Sequence, residues 1–262
     1  MSATQQRKAE AFRALHEGDP FVIPNPWDAG SARMLEALGF EALATTSSGF
    51  AFTLGKLDGK VTLDEVAAHV AALDAASELP ISVDLENGLD ASPEAAIRAV
   101  AAAGAVGGSI EDWDRAEQRI YDLDHAVARV AAAATAALEL GFPFTFTARA
   151  ENHVHGHDDL DDTIVRLQAF EQAGADVLYA PGLRTVEEIR AVCDAVSKPV
   201  NVLAFSNLSF AEIAEAGAQR VSVGGALTWV AVKAAADAAE AMRQGDFSGL
   251  GARVPLADWL GS

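Results

Sequence analysis

Short apolar runs rich in β-branched or aromatic residues alternate along the whole chain with helix-length amphipathic stretches. The runs predict strands over residues 21–24, 42–46, 81–85, 106–110, 144–148, 177–180, 200–203 and 220–223. Between and after them, apolar positions at helical spacing predict helices over 29–38, 63–76, 93–103, 126–138, 160–173, 186–196, 210–216 and 228–243. Strands separated by helices need right-handed crossovers and a parallel sheet, and eight such units close most simply on themselves. With no linker or low-complexity break, the expected fold is an α/β, single (β/α)8 TIM-type barrel over residues 1–262, with a C-terminal helical tail from about residue 228. A doubly wound open sheet is the alternative. The barrel is preferred because Ser47, Ser48, Asp84, Glu86, Glu111, Arg149 and Gly224 follow several different strands, as expected when their C-terminal ends share one mouth.

Two of the runs pass straight into acids: Ile81-Ser82-Val83-Asp84-Leu85-Glu86-Asn87-Gly88 and Gly108-Ser109-Ile110-Glu111-Asp112. Carboxylates at the ends of apolar strands are costly unless a cation pairs with them, and a hard divalent metal on oxygen ligands is one solution. Asp84 and Glu86 are two positions apart and would face the same way on one strand, with Glu111 approaching from the next. For any single one of these acids, capping a helix or pairing with a surface lysine is an equal alternative. Arg149, at the end of the fifth run, is open to two readings: a contact to a bound anion, or an ion pair with Glu111 or Glu151.

Composition narrows the function classes. The chain has 262 residues, 50% of them hydrophobic, enough for one large core. Thirty-eight Asp and Glu against 19 Lys and Arg give a net charge of −19, which argues against binding nucleic acid or an anionic membrane. Cys193 stands alone, so neither a disulfide nor a thiolate zinc site can form within one chain. The first twenty residues are polar and charged, and no later stretch is long and apolar enough to cross a membrane, so the expected location is cytoplasmic.

Several motifs, in order, resemble the isocitrate lyase/phosphoenolpyruvate mutase superfamily, on its phosphoenolpyruvate mutase-like branch. Asn25-Pro26-Trp27-Asp28-Ala29-Gly30-Ser31-Ala32-Arg33 is similar to its first strand and helix. Ala44-Thr45-Thr46-Ser47-Ser48-Gly49, followed by Leu54-Gly55 and Asp58-Gly59, resembles its second-strand loop. Asp84-Leu85-Glu86-Asn87-Gly88 resembles the metal motif and Ile110-Glu111-Asp112 the fourth-strand motif, while Ala148-Arg149, Ala173-Gly174-Ala175-Asp176 and Pro181-Gly182 match the fifth and sixth units.

The resemblance implies a Mg²⁺-dependent enzyme, with Mn²⁺ as a substitute, that makes or breaks a C–C or C–P bond next to a metal-bound enolate of a small 2-oxo acid. It implies Asp84 as a direct metal ligand, with Glu86 and Glu111 acting largely through water. It gives Ser48, with the amides of Ser48 and Gly49, to a substrate carboxylate, Arg149 to a charge-assisted contact, and Asp58 to catalysis from a Gly-flanked loop. Thr46, Ser47 and His153 are further candidate substrate contacts. The expected ligand is a small 2-oxo or 2-hydroxy carboxylate. The resemblance also implies a homodimer or homotetramer in which the eighth helix is exchanged between subunits.

The chain departs from the family's lyase branches after the fourth-strand acid. A Lys-Lys-Cys-Gly-His-type lid, whose Cys supplies a proton, is replaced by Asp112-Trp113-Asp114-Arg115-Ala116-Glu117-Gln118-Arg119-Ile120-Tyr121, with no Cys or Lys. A typical isocitrate lyase is therefore disfavoured and the general acid is left open. The imidazoles of His153, His155 and His157 could suggest a second metal site, but the neighbouring Asp158, Asp159, Asp161 and Asp162 favour a solvated helix start. Gly224-Gly225 leaves a phosphate-dependent barrel isomerase as one alternative, and the lid without its usual acid leaves a non-catalytic 2-oxo-acid-binding protein as another.

Overall fold

All eight predicted strands form in the computed structural model, which describes residues 2–261. They are β1 (Phe21–Ile23), β2 (Leu43–Ala44), β3 (Ile81–Asp84), β4 (Gly107–Glu111), β7 (Thr145–Arg149), β8 (Val177–Tyr179), β9 (Val200–Leu203) and β10 (Arg220–Ser222). A short antiparallel hairpin, β5 (Trp113–Asp114) and β6 (Arg119–Ile120), is inserted after β4. The long sheet is parallel, in the order β1-β10-β9-β8-β7-β4-β3-β2. One backbone hydrogen bond, from Ala44 N–H to Pro24 O at 3.0 Å, links its two ends into a nearly closed barrel. The register places Asp84 beside Ser109, Glu111 beside Arg149, and Arg149 beside Tyr179, so acids and arginine meet at one rim.

Helices α1 (Ala3–Leu15), α2 (Ala29–Ala37), α3 (Ser47–Thr53), α4 (Leu63–Ala76), α5 (Pro93–Ala102), α6 (Leu123–Leu138), α7 (Leu160–Gln172), α8 (Val186–Ala195), α9 (Phe210–Glu215), α10 (Ala226–Arg243) and α11 (Leu256–Leu260) complete the chain. Reciprocal caps start α2 (Asp28 with Ser31), α4 (Thr62 with Glu65), α8 (Thr185 with Glu188) and α9 (Ser209 with Glu212), which satisfies amides that the first turn leaves free. The outer faces of the strands, with Val83, Phe146, Leu178 and Val202, share one buried cluster with Leu35, Leu73, Ile97, Val130, Phe170 and Ile189 of the helices.

Helix α1 lies outside the alternating pattern and closes the other end of the barrel. Ala9 and Phe12 pack on Ile23 and Val106, and Lys8 reaches Asp74 at 2.7 Å and the Ser77 carbonyl at 2.9 Å. Helix α10 stands apart from its own barrel. Thr228 is its one buried residue, and Val230 is 69% exposed. Among the described residues no helix is long and apolar enough to cross a membrane.

Candidate active site

The strand ends open into a cavity of about 350 Å³ lined by Thr46, Ser47, Ser48, Asp58, Asp84, Glu111 and Arg149, with Trp113, Arg115, Glu151, His155 and Tyr179 among its other walls. Arg149 is its organising cation. Its Nη1 donates to Asp84 Oδ1 at 2.7 Å, its Nη2 lies 2.8 Å from Glu151 Oε1 and 3.4 Å from Glu111 Oε2, and its Nε donates to Glu151 at 2.9 Å. The ion pairs of Arg149 with Glu111 and Glu151 thus form, with Asp84 as an additional partner. Burial alone would lower its pKa, but Glu151, Asp84 and Glu111 together hold it well above the ordinary range.

Asp84 ends β3, where its amide donates to Thr45 Oγ1 at 2.9 Å. Glu86 does not continue the strand, contrary to the expectation that both acids share one strand face. It sits in the following turn with φ 51°, 2% exposed, and its Oε2 lies 2.7 Å from Arg115 Nε while its Oε1 has no partner. Burial raises its carboxyl to about 7, opposed by Arg115 and reinforced by Asp84 and Asp58. Glu111, the last residue of β4, is raised well above the usual range by burial and by the charge of Glu151.

Arg115 is a cavity residue that periodicity could not reveal. The β5–β6 hairpin turns it back between Glu86 and Glu111, 3.8 Å from Glu111 Oε1, and its guanidinium packs on Gly59, where a Cβ would collide with it. Gly59 has φ +75°, so both the backbone and the space suit glycine. Asp58, on the exposed loop before it, also faces the cavity. Asp112 faces away from the cavity. It accepts from the Glu151 amide at 2.8 Å and pairs with Arg166 at 3.1 Å, a buried post under the loop after β7.

Thr46 caps α3 by accepting from the Gly49 amide at 3.3 Å, and its Oγ1 lies 3.3 Å from Ser48 Oγ. Ser47 and Ser48 line the cavity, whereas Gly49 is packed behind them against Thr228 and its amide is taken by the cap. Gly225 leaves room for Ser48 Oγ and the Trp229 indole, and Gly224 holds φ +53°, so close approach at one position and a left-handed backbone at the other account for the pair. His153 lies outside the lining as well. It is buried against Gly182 with its Nδ1 3.7 Å from Asp158, and Val154 and His155 face the cavity instead. The three-residue helical turn at His153–His155 sets this two-residue offset.

The donor set is made of hard oxygens, and four buried or half-buried carboxylates (Asp84, Glu86, Glu111, Glu151) face two guanidiniums. The unpartnered Glu86 Oε1 and the raised carboxyls mark negative charge that the protein under-compensates, which suits a divalent cation. Among the described residues no three His, Cys, Asp or Glu side chains converge closely enough to grip an ion unaided, including the histidines of 153–157. A cation held by such a set would keep part of its water shell, as Mg²⁺ does readily.

The family model described as phosphoenolpyruvate phosphomutase matches residues 12–243. A candidate lyase/mutase from Burkholderia cenocepacia is 52% identical, with a TM-score of 0.95 covering 100% of this chain and 98% of that one. A candidate phosphonomutase from the same organism is 35% identical, with a TM-score of 0.83 over 92% of this chain and 100% of that one. An oxaloacetate decarboxylase from Paraburkholderia xenovorans is 31% identical over 259 residues, 94% of this chain and 84% of that protein.

Proposed function

Since the chain belongs to the phosphoenolpyruvate phosphomutase family, within the phosphoenolpyruvate mutase/isocitrate lyase superfamily, and is an enzyme of lyase or mutase type, we propose that it makes or breaks a C–C or C–P bond beside the 2-oxo group of a small carboxylate. The observation that carries this reading is the convergence of Arg149, Asp84, Glu111 and Ser48 on one cavity of about 350 Å³, sized for a small acid. The relative that acts on oxaloacetate supports the C–C form, and a phosphonopyruvate hydrolase solved with oxalate and Mg²⁺ shares the fold.

Mg²⁺, or Mn²⁺ in its place, would be held by Asp84, Glu86 and Glu111, and when bound would supply Lewis-acid stabilisation for the oxygen that becomes negative. Arg149, held in place by Glu151 and Asp84, offers its remaining N–H donors to the substrate carboxylate. Ser48, with Thr46 and Ser47 beside it, provides hydroxyl contacts to the same ligand. Asp58 approaches from the loop that carries Gly59, where Arg115 of the hairpin meets it. The acidic composition and lone cysteine fit a cytoplasmic enzyme.

The test is turnover of oxaloacetate, 2,3-dimethylmalate, methylisocitrate and phosphonopyruvate with and without Mg²⁺. Metal-dependent conversion of at least one is expected, and conversion of none would overturn the proposal. Asp84→Ala should abolish both metal and oxo-acid binding in calorimetry. The uncovered face of α10, with Trp229 and Val230 exposed, supports exchange of this helix between subunits of a homodimer or homotetramer. Sedimentation at micromolar concentration should give a mass above that of one chain.

A further inference from the structure

Cleavage beside a 2-oxo group leaves an electron pair on carbon, and that carbon must receive a proton. The hairpin after Glu111 has neither the cysteine nor a lysine to give one. The cavity's arginines stay protonated at neutral pH, Arg220 included although burial lowers it to about 10, and burial pushes the Tyr179 hydroxyl up to about 12. Asp84, Glu111 and Glu151 all turn to Arg149, and Glu86, paired with Arg115, lies outside the cavity lining. Asp58 and His155 remain, and only His155 is held rigidly.

Its imidazole lies flat on the Trp113 indole, with ring centroids 3.5 Å apart and planes 5° from parallel, and its Nε2 is 3.9 Å from Glu151 Oε2. The turn beneath it is anchored. The His155 amide donates to the Asn152 carbonyl at 3.2 Å, and the buried Asn152 side chain donates to Thr163 Oγ1 at 2.6 Å and to the Asp159 carbonyl at 3.1 Å. A proton-transfer group needs such a fixed geometry, one that a loop acid does not supply.

Resting on the function proposed above, we propose that His155 is the catalytic residue that delivers the proton to the product carbon and, in the reverse direction, removes it. For a 2-oxo acid carrying a carboxyl group at C3, the C3–C4 bond breaks and CO₂ leaves. The electron pair stays on C3, shared with the 2-oxo oxygen as an enolate. The imidazolium N–H bond then breaks, its proton passing to C3 and its electrons to nitrogen, and one proton taken up from the solution restores the imidazolium, the net proton that the decarboxylation consumes. Burial, together with the charges of Arg115, Arg149 and His157, lowers the imidazole pKa, while Glu151 faces it from the β7 side. The forward step therefore draws on the protonated ring and weakens as pH rises, while the neutral ring serves as the base of the reverse step.

The experiment uses the full chain with Mg²⁺ and compares wild type with His155→Phe, which keeps a ring on Trp113, and with His155→Gln. Two quantities are read: steady-state turnover of the 2-oxo acid that the wild type converts, and exchange of pyruvate methyl protons in D₂O. Both variants should lose about 10²–10³-fold in kcat with KM within about threefold, together with methyl exchange and its rise with pH. Added imidazole should restore part of the activity of His155→Ala. A His155→Phe enzyme with wild-type kcat and exchange profile would reduce His155 to packing and overturn this inference alone. Absence of any wild-type conversion would instead overturn the function on which it rests.

Discussion

Arg149 touches three carboxylates at once, Asp84, Glu111 and Glu151, and its removal tests how the site is built. Truncating one member of a buried charged cluster leaves its partners uncompensated and costs about 3–5 kcal/mol. Arg149→Met should therefore lower the urea midpoint strongly as well as abolish activity. Arg149→Lys should recover only part of the loss, because one ammonium cannot span the positions that the guanidinium fork reaches. At this scale the sequence placed Asp84, Glu111 and Arg149 well, since each is the last residue of its strand and register alone brings the strand ends together. It could not place residues that depend on a turn. Glu86 moves off the strand face through one left-handed residue, Gly49 falls behind the cap made by Thr46, and a single helical turn exchanges His153 for His155 in the cavity. None of these has a periodic signature.

Among the elements, the β5–β6 hairpin is the part most open to test, because its grip on the site rests on Arg115 between Glu86 and Gly59. Gly59→Ala adds a methyl group where the guanidinium sits and asks a non-glycine residue to hold φ +75°, a backbone cost of about 1–2 kcal/mol. The expected result is faster amide hydrogen exchange over residues 55–60 and 113–120, with the barrel strands unchanged, and a weaker KM for the substrate. The strands and barrel helices were legible because apolar residues repeat at one of two periods through them. Helix α1 was not, since only Lys8, Ala9 and Phe12 of its thirteen residues are buried and the apolar stripe is faint. Helix α3 begins Ser-Ser-Gly, poor helix formers, and owes its start to the Thr46 cap and its place to buried Phe50 and Ala51. The hairpin strands have two residues each, too short for alternation to show.

Across the whole molecule, two buried histidines tie stability to pH. His16, at the end of α1, accepts from Arg220 Nη1 at 3.1 Å through Nε2 while its Nδ1 meets the Phe12 carbonyl at 2.8 Å, so the ring joins α1 to the barrel as a neutral imidazole. His69 of α4 stacks on Phe50 of α3 with centroids 4.0 Å apart, and its Nε2 is buried without a partner. Burial lowers their pKa values to about 3 and about 4, from 6.5. The unfolded chain therefore binds more protons than the folded one below 6.5, and this contribution to stability declines as pH falls toward 4. By pH 4 the loss is of order 3 kcal/mol for each ring. The buried carboxyls, Asp112 raised to about 6, Glu86 to about 7 and Glu111 well above the usual range, act in the opposite sense, so the wild-type slope alone does not isolate the histidines. His69→Phe does, because it keeps the stack on Phe50 and removes the titrating nitrogen while leaving those carboxyls in place. Its urea midpoint should fall less than the wild type's between about pH 6.5 and about pH 4.5, and equal slopes would show that His69 is protonated in the folded barrel at no cost.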